Sequence, residues 1–188
     1  MVKIKLLLVG PVQSGKTHLA NFLADAFEFS GDEYWPTKGA RILEFDVRDI
    51  NVNNRKDKVD VELWDVSGDR QYEGCWPAIQ HEANGVLFVY SASRVERDAR
   101  ELEALYTSFV QQQGLRDSQC LVMAHQQGAD PGHAGKLPGS SFATIPQVDA
   151  NLDANTNQIR SDFNGYVSQV AGMVSEAREK AERDIVGK

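Results

Sequence analysis

Residues Gly10-Pro11-Val12-Gln13-Ser14-Gly15-Lys16-Thr17 fit the pattern G-x-x-x-x-G-K-[ST] at every fixed position. Their surroundings fit too. Ile4 to Val9 is an apolar run that reads as a buried strand. Thr17 to Phe27 reads as a helix, with Leu19, Phe22, Leu23 and Ala26 at helical spacing. A strand, a glycine-bounded loop and a helix N-terminus form an anion site. Successive backbone N–H groups, from Gly10, Gln13, Ser14, Gly15 and on to His18, turn inward, and the helix dipole favours negative charge. Lys16 would reach the β- and γ-phosphates of a nucleoside triphosphate, and the Thr17 hydroxyl would bind Mg²⁺. A chance match in a glycine-containing turn would not bring strand and helix into register.

A second cluster lies at Val61-Glu62-Leu63-Trp64-Asp65-Val66-Ser67-Gly68. An acidic residue at the end of a buried strand can orient Mg²⁺, so Asp65 is the expected carboxylate. Gly68 follows at D-x-x-G spacing, and its N–H can approach a γ-phosphate because no side chain blocks it. Between the two clusters lies Tyr34-Trp35-Pro36-Thr37-Lys38-Gly39. Alone, Thr37 is a turn residue after a proline. Beside the other two motifs it reads as a second hydroxyl ligand, which gives a metal set of Thr17, Thr37 and Asp65.

These residues need a scaffold, and the chain supplies an alternating one. Arg41 to Val47 and Val59 to Trp64 read as paired strands joined by the polar turn at 51–56. Gly85 to Tyr90 is a continuous apolar run, as in a central strand covered on both faces. Val95 to Gln112 reads as a helix, Cys120 to Ala124 as a buried strand, and 126–141 as a loop with four glycines and two prolines. Phe142 to Val148 is a strand candidate interrupted by Pro146, and Asn155 to about Asp184 is a helix whose apolar stripe ends near Val174. The expected architecture is α/β: one domain over 1–188 with a mostly parallel sheet of about six strands flanked by helices.

Composition narrows the function. The net charge of −7 argues against nonspecific nucleic-acid binding. The two cysteines, Cys75 and Cys120, make no disulfide framework and read as reduced thiols. There is no signal-peptide pattern, no residue pattern for lipidation and no bilayer-length apolar run, so no direct membrane anchor is expected. His81, His125 and His133 are too scattered for a metal site.

Taken together, the chain resembles Ras-superfamily small GTPases of the Rab-like branch over nearly its whole length. Trp64-Asp65-Val66-Ser67-Gly68 is similar to W-D-T-A-G, and Ala83-Asn84-Gly85 to the A-[HD]-G before the next strand. More closely still it resembles the family of Rab-like intraflagellar transport subunits. That likeness is carried by 9–11 with 14–23, Arg41 to Phe45, Cys75-Trp76-Pro77-Ala78 and Phe109-Val110-Gln111-Gln112. The resemblance implies a P-loop, Ras-like fold and a GTP/GDP site with Mg²⁺. It also implies a place in the cilium or flagellum and basal body, with a cytoplasmic pool, held by coiled-coil subunits of intraflagellar transport complex B.

The departures bear on activity. Ras and Rab proteins carry a water-orienting glutamine immediately after the W-D-T-A-G glycine, and here that position is Asp69. Val12 stands where a small glycine lies beside the γ-phosphate, and Gln71 is two residues off register. Retained binding with weak or absent hydrolysis is expected, and no residue is assigned as catalytic. The guanine-reading N-K-x-D is replaced by His125-Gln126-Gln127-Gly128, with Asp130 beyond, so the margin for guanine over adenine should shrink. Asp130 or Gln127 could fill the gap. His125 and Gln126 remain the base-side candidates. Ala150, within Asp149-Ala150-Asn151, stands for the later S-A-K motif with only its backbone N–H. Trp35 either packs on the nucleotide or faces a partner. Phe45, Trp64 and Ile79 fall where Rab proteins keep an apolar triad. An active switch cycling with an activating protein, and a nucleotide-free binding module, are the competing readings.

Overall fold

The computed structural model describes residues 2–26, 36–127, 136–139 and 141–186. Its strands are β1 (Val2–Val9), β2 (Ala40–Val52), β3 (Arg55–Val66), β4 (Gly85–Ser91), β5 (Cys120–Gln126) and β6 (Gln147–Asn151). The helices are α1 (Lys16–Leu23), α2 (Trp76–Gln80), α3 (Val95–Tyr106) and α4 (Thr156–Val186). The strands form one six-stranded sheet in the order β2-β3-β1-β4-β5-β6. Only β2 runs antiparallel to its neighbour.

Composition along each strand explains its position. Leu6, Leu7 and Leu8 of β1 are all fully buried, as are Val86 to Val89 of β4, because helices cover both faces at the centre. On one face α1 and α4 pack Leu19, Leu23, Ile159, Phe163 and Val167 over Leu6, Leu8 and Val89. On the other, α2, α3 and the turn after α3 pack Ile79, Leu102 and Phe109 over Leu7, Val9 and Phe88.

The β2–β3 hairpin runs further than the sequence suggested. Both turn residues, Asn53 and Asn54, hold positive φ (49° and 65°). Asparagine tolerates that conformation, and it matches the right-handed twist of the strands. The turn therefore shrinks to two residues and the strands extend to meet it. A bulge between Val47 and Ile50, with Asp49 at φ 58°, absorbs the irregularity.

Three other boundaries moved. The helix expected to reach Phe27 stops at Leu23, since Asp25 turns left-handed (φ 50°). The Ala26 N–H bonds Asn21 O and the Asp25 N–H bonds Phe22 O, which closes the helix end. The helix from Val95 leaves α geometry at Tyr106 and ends in a π turn over Thr107–Gln111. The strand expected over 142–148 instead begins at Gln147, after Pro146. Proline has no N–H for a ladder, although its carbonyl still accepts from the Val122 N–H at 2.9 Å. Phe142 and Ile145 are buried as plugs, with Phe142 edge-on to Phe88 and Tyr106. No helix among the described residues is long and apolar enough to cross a membrane.

Candidate nucleotide site

The loop after β1 is built around what only glycine allows. A Cβ on Gly10 would lie 2.0 Å from Val89 O on the neighbouring strand. Gly15 holds φ +93°, and a Cβ there would meet His125 Nδ1 at 2.3 Å. Lys16 folds back over the loop. Its Nζ donates to Gly10 O at 2.8 Å, to Pro11 O at 2.6 Å and to Ser14 Oγ at 3.4 Å. Burial lowers the Lys16 pKa to about 8, against the pull of Asp65, Glu101 and Asp98. An ammonium held this way is ready to exchange protein carbonyls for phosphate oxygens.

The three expected metal ligands converge. Thr17 Oγ1 donates to Asp65 Oδ2 at 2.8 Å and Thr37 Oγ1 donates to the same oxygen at 3.3 Å. The two hydroxyls are 3.2 Å apart. Asp65 is fully buried, and burial raises its pKa despite Thr17, Lys16, Arg41 and Thr37. Its Oδ1 is buried with no hydrogen-bond partner among the described residues. An unsatisfied buried carboxylate oxygen beside two hydroxyls is a set of hard oxygen donors that suits Mg²⁺. Arg41, missed in the sequence, lies directly opposite Asp65 in the β2–β3 ladder, with Nη2 3.8 Å from Oδ2. Only strand register reveals that pairing.

Gly68 closes against the loop. A Cβ on it would lie 2.6 Å from Val12 N and 2.7 Å from Gly10 O. The Ser67 N–H donates to Gly39 O at 2.8 Å, which ties this segment to the one bearing Thr37. Asp69 does something other than the water-positioning site suggests. Its carboxylate accepts the Gln71 backbone N–H at 3.0 Å and the Gln71 amide at 2.6 Å, capping the short 3₁₀ turn Arg70–Cys75. Val12 is 44% exposed at the mouth of the loop.

Of the residues expected to read the base, β5 and β6 pair His125 with Ala150 and Gln126 with Asn151. His125 is buried, and burial followed by the nearby His18 lowers its pKa, so it is neutral. The His18 and His125 rings are 6.3 Å apart, and His125 lies against Gly15. Ala150 is fully buried in the sheet. Tyr34, Trp35, Gly128, Asp130 and His133 lie outside the described residues.

The apolar triad is not one patch. Phe45 packs with Phe163 on the α4 face, whereas Trp64 and Ile79 belong to the opposite face and Ile79 is buried. The residue beside Trp64 is Ile42, its direct cross-strand partner, which is 49% exposed. Counting strand parity from Trp64 would have found it.

The sheet order, the lysine-bearing loop and the buried carboxylate with two hydroxyls define a Ras-like phosphate-loop domain. The model for "Roc, or Ras of Complex, Roc, domain of DAPkinase" matches residues 5–127. A Danio rerio relative described as an intraflagellar transport protein 22 homolog is 40% identical, covering 99% of this chain and all of the relative. The chain therefore belongs to the intraflagellar transport protein 22 family. It is similar to the T. brucei IFT22/74/81 GTP-bound crystal structure, with a TM-score of 0.74, 26% identity and coverage of 94% of this chain and 99% of the other. It is also similar to the T. brucei IFT22 GDP-bound crystal structure, with a TM-score of 0.66, 26% identity and coverage of 90% and 97%.

Proposed function

We propose that this chain is a Rab-like, GTP- and GDP-binding subunit of intraflagellar transport, acting as a single domain over 1–188. The observation that carries the proposal is the convergence of Thr17, Thr37 and Asp65 beside Lys16. The amides of the loop from Gly10 to His18, with Gly68, surround the phosphates, and Lys16 supplies charge. Thr17, Thr37 and Asp65 would hold Mg²⁺, which would supply neutralisation of phosphate charge. His125, Gln126 and Ala150 line the base side. The likeness to the T. brucei IFT22 structures with bound GTP and GDP, one of them a complex with IFT74 and IFT81, supports this reading.

Hydrolysis is weak or absent in this proposal. Asp69 is engaged with Gln71, and Val12, exposed on the loop, would crowd the space beside a γ-phosphate. Protein–protein contacts with coiled-coil subunits of complex B hold the chain in the cilium and at the basal body, with a cytoplasmic pool. The decisive experiment is release and identification of nucleotide from protein purified without additions. Guanine nucleotide at near one per chain, lost in Lys16→Ala and Thr17→Asn, is the expected result. Nucleotide-free wild-type protein that takes up neither GTP nor GDP refutes the reading.

A further inference from the structure

Between β4 and α3 the chain makes a short turn that ends at Arg94, a residue none of the motifs includes. Its guanidinium reaches across to the phosphate loop. Nη2 donates to Gln13 O at 2.6 Å and to Val12 O at 3.3 Å. These two carbonyls belong to the part of the loop that needs holding. Gln13 has φ 59°, a left-handed conformation that a side-chain-bearing residue adopts only when its surroundings enforce it.

Arg94 is itself anchored. Its side chain is 24% exposed and lies 3.8 Å from the carboxylate of Asp98, one turn along α3. Asp98 is 1% exposed and accepts the Ser91 N–H at 3.0 Å, so the end of β4, the turn and the arginine form one unit. The charge also reaches Lys16, which responds to both Arg94 and Asp98.

Peptide planarity turns this contact into a statement about the phosphate side. In a trans peptide the C=O and the following N–H point in opposite directions. Fixing the Val12 and Gln13 carbonyls outward on Arg94 therefore turns the N–H groups of Gln13 and Ser14 inward. The Ser14 N–H does face the loop interior, where it meets Pro11 O at 3.3 Å, the same oxygen that accepts Lys16 Nζ.

We propose that Arg94, held by Asp98, is a positioning residue for the phosphate loop, setting the inward aim of the Gln13 and Ser14 amides toward a nucleoside diphosphate. It touches no reactant. The inference rests on the nucleotide-binding function proposed above and names a residue that reading does not use.

The test compares the full-length wild type, Arg94→Ala and Arg94→Lys. It measures GDP dissociation and, separately, the thermal midpoint without nucleotide. Losing charge-assisted bonds to two loop carbonyls should speed GDP release about tenfold or more in Arg94→Ala. Arg94→Lys, which keeps one charged donor, should release GDP within about threefold of wild type. The nucleotide-free midpoint should stay within about 4 °C of wild type in both, because Asp98 keeps its bond from the Ser91 N–H when the arginine is lost. GDP release within about twofold of wild type in Arg94→Ala overturns the inference while leaving the nucleotide reading intact. So does faster release accompanied by an equally large fall in the nucleotide-free midpoint. Wild-type protein that binds no GDP removes both. If Arg94→Ala does not fold, Asp98→Asn takes its place, since it keeps the Ser91 contact and releases the arginine. Faster GDP release there supports the inference, and unchanged release overturns it.

Discussion

Lys16 makes nucleotide binding a proton-coupled event. In the free protein its pKa is about 8, because burial disfavours the ammonium. A bound di- or triphosphate favours the charged form and restores the pKa toward the ordinary lysine value of about 10.4. The neutral fraction in the free protein is about one-tenth near pH 7, about half near pH 8 and about nine-tenths near pH 9. Binding must therefore take up a matching number of protons, rising with pH over that interval. The titratable groups buried near the site, and the phosphates, add nothing in that interval. His125 is already neutral, the Cys120 thiol is pushed up to about 12, and phosphate groups are fully ionised well above their second pKa of about 6. The same coupling acts on folding. A lysine whose folded pKa is lowered gives a nucleotide-free protein whose stability rises between about pH 8 and 10.4, by up to about 3 kcal/mol. Calorimetry of GDP binding in two buffers of different ionisation enthalpy counts the protons directly. Uptake near half a proton at about pH 8 is expected. Uptake that stays below about a tenth of a proton from pH 8 to 9 refutes the argument that burial sets the Lys16 charge.

Asp65 titrates with the opposite consequence. Its raised pKa means that Mg²⁺ dependence of nucleotide retention should fade on acidification from above the ordinary carboxylate range, which Mg²⁺-dependent GDP release at stepped pH measures. Gly68→Ala must push against Val12 N and Gly10 O, so it should cost about 1–3 kcal/mol in thermal or chemical denaturation; no loss would mean the close approach is not maintained in solution. Single-turnover GTP hydrolysis should not exceed the intrinsic Ras rate of about 10⁻⁴ s⁻¹, and Asp69→Gln combined with Val12→Gly should raise it; a faster wild-type rate without a partner would point to Gln71. Ile42→Asp, on an exposed position beside Trp64, should leave the domain folded and weaken capture of intraflagellar transport partners, whereas Trp76→Ala also removes packing on Phe109; normal capture by Ile42→Asp would place the interface elsewhere.

What could be read from the sequence was whatever depends on local spacing. The phosphate loop and D-x-x-G fix their geometry within a few residues, so Lys16, Thr17, Asp65 and Gly68 were legible. Thr37 was legible only in company, because a threonine after proline has an ordinary turn role. What depended on pairing between distant segments was not. Arg41 opposes Asp65 only through a ladder register, and Arg94 meets Gln13 across 81 positions of chain. Strand parity separated Phe45 from Trp64 and brought Ile42 into view. Asp69 was read by its position beside a glycine, yet its carboxylate serves the turn that follows. Pro146 delayed the last strand because an interruption in a pattern does not say on which side pairing resumes.

The tip of the β2–β3 hairpin is clipped to the long C-terminal helix. Asn53 Nδ2 donates to Gly172 O at 3.3 Å, Ser168 Oγ bonds Asn51 O, and a Cβ on Gly172 would lie 2.8 Å from Asn53 Oδ1. In mechanical terms the hairpin is held twice, at its tip by this clamp and along Val59 to Asp65 by pairing with β1, while β2 is the edge strand. The far end of β2 carries Arg41 and the approach to Thr37. Sliding β2 by two residues would carry its tip about 7 Å along the strand and tear out this clamp. A rearrangement of β2 that starts at the Thr37 end and leaves the clamp intact must therefore be taken up along the strand, and the bulge between Val47 and Ile50 is the place where the ladder register is already interrupted.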